Sequence, residues 1–186
     1  SSAGAETQTA GVSWQGGHWR LLAAPKSITM AKYKAENIMD GITIGGNKRF
    51  VTQTKRALGL LKTRSNRIYK NVVLPYVKKI KAHKTSGMNV FAKVPTYEVG
   101  SKTAFASSRW YASTIAHDAY HSKLYSDYKN KHAGRVPRKA FASQKAELQC
   151  IKFQIKVAKK IGVSAADIRH LKSLDGSHAK LRKINW

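Results

Sequence analysis

"WYASTIAHDAYHSKLY", residues 110–125, decides how the rest of the chain is read. In steps of three and four, Trp110, Thr114, His117, His121 and Tyr125 fall near one face, so residues 106–128 are predicted to form a helix. On that helix His117 and His121 project from adjacent turns. Two imidazoles so placed can meet one zinc ion and leave room for a third protein ligand and a water. Asp118 follows the first histidine directly, where a carboxylate could address that water or orient a ligand. The same stretch also reads as an ordinary amphipathic segment with structural or surface imidazoles, because a spacing of four arises readily among seven histidines in 186 residues.

Beyond it, "NKHAGRVP", residues 130–137, ends the helix, and "RKAFASQKAELQCIKFQIKVAKKIG" predicts a second long one over 139–161. Gly162 is a natural stop, Ser164 an N-cap, and 165–174 a shorter final helix with Asp167 in capping-box spacing. Glu147 lies 26 positions after His121 in this second helix. A helix–loop–helix turn would set it opposite the histidines, which makes it the candidate third ligand; its ordinary reading is an exposed salt-bridge partner. Cys150 could also ligate, but a lone cysteine in "ELQCIKFQIKVAKK" reads first as a small buried hydrophobe.

Upstream, "SGMNVFAKVPTYEVGS", residues 86–101, predicts two short strands over 88–94 and 96–99, with Pro95 suited to an edge or bulge. Residues 51–84 divide into two helical patterns around 63–66, with Ser65 as an N-cap. The second places Ile68, Val72, Val73, Tyr76, Val77 and Ile80 on one side, with a kink or break expected near Leu74 because Pro75 lacks a donor. "DGITIGGNKRF", residues 40–50, can form a small hairpin. Residues 1–18, small and Gly-rich, are expected to be a flexible lead or linker ahead of one basic domain over 19–186. The expected fold is α+β: a predominantly helical single domain with a small strand element and an HExxH-like metal-binding helix.

The charge narrows the partners. Lys and Arg number 35 against 9 Asp and Glu, a formal +26, which attracts polyanions and acidic proteins. An acidic inhibitor and nucleic acid bound through a basic surface are both expected partner classes, although no zinc finger, Walker loop or RNA-binding aromatic motif accompanies the charge. One cysteine excludes an intrachain disulfide and a cysteine-rich zinc site. No run reaches the length of a membrane span.

The segments "WYASTIAHDAYHSKLY", "AELQCIKFQIKVAKKIG" and, loosely, "SLDG" resemble the zinc-metallopeptidase-like toxin domains at the C-termini of bacterial Rhs and other polymorphic toxin proteins. The resemblance spans roughly residues 86–177. It implies Zn²⁺ held by His117, His121 and Glu147, with Asp118 as the water-activating base. It also implies peptide-bond hydrolysis of a protein or peptide substrate, an immunity protein as partner, and synthesis in a bacterial cytoplasm followed by export into a target cell. The zinc-protease pattern H-E-x-x-H has glutamate where Asp118 stands, and the missing methylene shortens the carboxylate's reach by roughly 1.5 Å. A basic nucleic-acid-directed toxin and a noncatalytic binding domain are the alternatives.

Overall fold

The computed structural model describes residues 37–177, together with the backbone of two earlier strands, β1 (Val12–Gln15) and β2 (His18–Leu21). These two pair antiparallel with Trp14 opposite Trp19. Contacts divide the chain between Glu36 and Asn37, so this hairpin belongs to a first unit of its own. The boundary suggested by composition at 18/19 therefore falls inside β2. The remainder of the expected lead lies outside the described residues.

The second unit begins with β3 (Ile38–Met39) and β4 (Ile42–Gly45), joined through Asp40 and Gly41. Both turn residues have positive φ, 47° and 84°, as a tight two-residue hairpin requires. Helix α1 (Lys48–Arg64) follows, its first turn capped by Asn47, which accepts from the Phe50 amide at 2.9 Å. A second helix, α2 (residues 66–76), contains a π-helical segment at Tyr69–Val73. Then come β5 (Lys79–His83), β6 (Gly87–Asn89) and β7 (Thr96–Gly100).

The sheet order is β3-β4-β5-β7-β6, parallel at its two central pairings and antiparallel at both edges. Register aligns Ile44, Ile80, Tyr97 and Met88 in one row across four strands, all buried. The adjacent row is Gly45, Lys81, Glu98 and Gly87, and carries the Lys81–Glu98 ion pair at 3.0 Å. One face is thus apolar and the other polar, and the helices must cover the first.

Three sequence expectations need correction. The helical face expected to run through Val77 and Ile80 stops at Tyr76, and Val77 is already extended, at φ −126° and ψ 116°. Pro75 cannot donate to the preceding turn, and the alternation in "KIKAH" lets Lys79–His83 satisfy its backbone on both sides, against β4 and β7. Ser65 caps nothing: its amide donates to the Leu61 carbonyl at 2.9 Å, while its hydroxyl is buried without a partner. The strand expected over 88–94 ends at Asn89, whose side-chain oxygen accepts from the amides of Phe91 and Ala92 and turns the chain away.

The C-terminal half is predominantly helical, as expected: α3 (Ser101–Ala104), α4 (Ser108–Lys131), a 3₁₀ turn at Arg138–Ala140, α5 (Gln144–Ile161), which starts five residues after the expected 139 because Ser143 caps it, and α6 (Ala165–Ser173). Ser107, Ser143 and Ser164 cap α4, α5 and α6, and Gly162 ends α5 in the left-handed conformation. Helix α4 is the hub. Tyr111 and Thr54 tie it to α1 at 2.8 Å, Tyr97 donates to Thr114 from β7 at 3.0 Å, and Gln154 donates to Ser113 from α5 at 3.0 Å. Ala112, Ala116 and Ala119 are fully buried on it, small enough for its neighbours to approach closely. Among the described residues no helix is long and apolar enough to cross a membrane.

Candidate metal centre

The i, i+4 spacing of His117 and His121 places their Nε2 atoms 3.1 Å apart on α4. Across the α4–α5 interface Glu147 supplies one carboxylate oxygen to each: Oε1 lies 3.1 Å from His117 Nε2, and Oε2 lies 3.0 Å from His121 Nε2. Glu147 reaches this position because Ser143 sets the start of α5. Its hydroxyl accepts from the Ala146 amide at 3.1 Å, which puts Glu147 in the helix's first turn. Glu147 is buried rather than an exposed salt-bridge partner.

Cys150, one turn along α5, is fully buried. Its sulfur and one nitrogen each from His117 and His121 all lie within 4.8 Å of one another, so these three residues form a cluster able to hold a metal ion. In sequence, a lone cysteine in an apolar run favours a space-filling role over ligation. The signal for ligation at Cys150 is its i+3 spacing from Glu147, which puts both on one face of α5.

The polar surroundings suit ligation. His121 Nδ1–H donates to the Phe141 carbonyl at 2.6 Å. That contact fixes the ring and leaves Nε2 as the nitrogen able to coordinate, a support metal-ligating histidines commonly have. His117 Nδ1 is buried and without a partner. Tetrahedral coordination at zinc–nitrogen distances of 2.0–2.1 Å would separate neighbouring donor atoms by about 3.3–3.4 Å. The 3.1 Å between the two imidazole nitrogens is therefore close to an edge of such a polyhedron, and each nitrogen stands 3.0–3.1 Å from a different oxygen of Glu147.

Charge is arranged accordingly. Burial disfavours the ionised form of Glu147, but hydrogen bonds from His117 and His121 outweigh it and hold the carboxyl far below its usual range. Burial likewise works against the charged form of His121, yet its contacts with Cys150 and Glu147 hold its pKa well above 6.5. Burial pushes the Cys150 thiol up. Asp118 is buried and acts electrostatically on both His121 and Cys150. Of the residues singled out from sequence, His117, His121 and Glu147 thus converge on one point, with Asp118 within electrostatic reach. No family model, curated protein or solved structure matches this chain.

Proposed function

We propose that the protein is a zinc-dependent hydrolase acting on peptide bonds, with the ion held by His117, His121 and Glu147. The observation that carries this reading is the approach of both Glu147 oxygens to within 3.1 Å of the two Nε2 atoms from a different helix. Three protein ligands leave a coordination position open, which is the pattern of catalytic rather than structural zinc. When bound, zinc supplies Lewis acidity toward a water and a substrate carbonyl. Asp118, buried within electrostatic reach of His121 and Cys150, would serve as the base that accepts a proton from the activated water and returns it to the leaving amine. The resemblance to toxin metallopeptidases supports an effector delivered into a target cell, and the +26 charge supports recognition by an acidic inhibitor.

The assay is peptide hydrolysis by zinc-loaded wild type and Asp118→Asn. D118N keeps its zinc and loses about 10²–10⁴-fold in rate, the range removal of a general base removes. Equal rates in the two proteins, or a zinc-loaded wild type inert toward peptides, overturn the proposal.

Cys150 favours one competing arrangement. With its sulfur as a fourth ligand the coordination sphere closes and the ion is structural. Glu147 is the better partner for an open site, because its oxygens already stand at near-coordination spacing. Under this proposal Cys150→Ser retains zinc and activity; under the closed arrangement it loses the ion.

A further inference from the structure

Independently of the metal centre, the start of α1 and the segment just before α4 enclose an open cleft of about 620 Å³, lined by Lys48, Arg49, Thr52, Gln53, Arg56 and Phe105. Three of its six lining residues are cations and none is acidic. Lys48, Arg49 and Arg56 have no acidic partner among the described residues, whose ion pairs lie elsewhere. The first turn of α1 has no acid to offset them, so three like charges share one concave surface with no ion-pair partner among the described residues. Such an arrangement opposes folding and is compensated when an anion enters.

Two of the lining groups are held in place. Gln53 donates to the Ala104 carbonyl at 3.0 Å, which ties α1 to the end of α3. The Arg49 guanidinium carbon lies 4.4 Å over the centre of the Phe105 ring. The ring immobilises the guanidinium and covers one of its faces. Its N–H edge remains for a phosphate, and its opposite face for a nucleobase, which stacks on arginine planes as it does on aromatics. A carboxylate could use the edge but would leave that face unused. The other basic residues are spread over several elements, including exposed Lys152, Lys156 and Lys159 on α5. A long, regularly charged strand suits that distribution better than the compact acidic face of a protein.

We infer that this cleft is a binding site for single-stranded nucleic acid, with Lys48 and Arg56 on backbone phosphates and Arg49 both pairing with a phosphate and stacking on a base. The test is fluorescence anisotropy with a labelled oligothymidylate from 50 to 200 mM salt. It compares wild type, K48A/R49A/R56A and a control with the same charge change, K152A/K156A/K159A; thermal melts show that each variant is folded. The cleft variant is expected to bind at least tenfold more weakly and to flatten the log–log salt slope by about 2, as three lost single-strand phosphate contacts require. The control stays within about threefold of wild type. R49K keeps the charge but loses the planar stack, so it weakens binding severalfold with the slope unchanged. Equal weakening in the cleft and control variants overturns the proposal, and so does displacement of the oligonucleotide by polyglutamate at matched charge concentration, which would assign the cleft to acidic proteins. H117A and chelator-treated protein bind as wild type, so either outcome leaves the metal reading to its own test.

Discussion

At the scale of single residues, the imidazole–carboxylate group makes stability depend on pH in a direction that zinc reverses. In metal-free protein, His121 has a folded pKa above 6.5, so its contribution is complete below 6.5 and is lost as pH rises through the folded value. Glu147 has a folded pKa below 4.5, so its contribution is present above 4.5 and is lost as pH falls through the folded value. The melting temperature of the metal-free protein is therefore expected to fall as pH rises beyond the His121 transition. With zinc in excess it rises over the same interval, because protons compete with the ion for His117 and His121; parallel melts across pH check this. Serines give a second contrast. Ser143→Ala removes the cap of α5 and is expected to cost about 1 kcal/mol, whereas Ser65→Ala removes a buried hydroxyl with no partner and is expected to be neutral or stabilising by up to about 1 kcal/mol. Denaturant melts of the two variants separate the cases. The site was legible at this scale where position along a helix carries geometry: the histidines by their spacing, Glu147 by its place in the next helix. Cys150 was not, because a cysteine in an apolar run looks the same whether it fills space or faces two imidazoles.

At the scale of elements, β5 is the part of the fold that local pattern misassigns. Ile80 satisfies both periods, continuing the helical face of Val77 and alternating with Lys79 and Lys81. Only its partners, Ile44 and Tyr97, decide between them, and they lie 36 positions before it and 17 after it. The stop of α5 and the start of α6 were readable because they are written locally, in Gly162 and Ser164; the starts of α4 and α5 were not, because the helical pattern runs back past their caps, Ser107 and Ser143, to 106 and 139. Ile80 is fully buried at the centre of the sheet, so Ile80→Ala is expected to cost about 2–5 kcal/mol. The amides of β5 should then be among the slowest to exchange, unlike those of a frayed helix end; hydrogen exchange over residues 79–83 checks the strand assignment. Gly162 has φ +77° and ψ 41°, and Gly162→Ala should lose about 1–2 kcal/mol from the left-handed conformation. A thermal melt reads that loss without disturbing the metal site.

At the scale of the whole molecule, two features organise the described chain: a one-sided sheet whose apolar face is covered by helices, and an excess of positive charge, 35 Lys and Arg against 9 Asp and Glu, that ion pairs such as Lys81–Glu98 relieve only in part. The first fixes α4 against β7, α1 and α5 through Tyr97, Tyr111 and Gln154, and so fixes the distance between the histidine pair and Glu147. The second was evident in composition, but its focus at Lys48, Arg49 and Arg56 was not, because the cleft also needs Phe105, 49 positions beyond Arg56. The proposed chemistry of the metal centre requires two helices to deliver donors to one ion. The most direct test is the zinc content of untagged wild type, H117A and E147Q after equilibration with zinc and removal of the excess. One tightly held zinc per wild-type chain, lost from both variants while their melts remain cooperative, is the expected result; a wild type that retains none, or folded variants that retain as much as wild type, would contradict it.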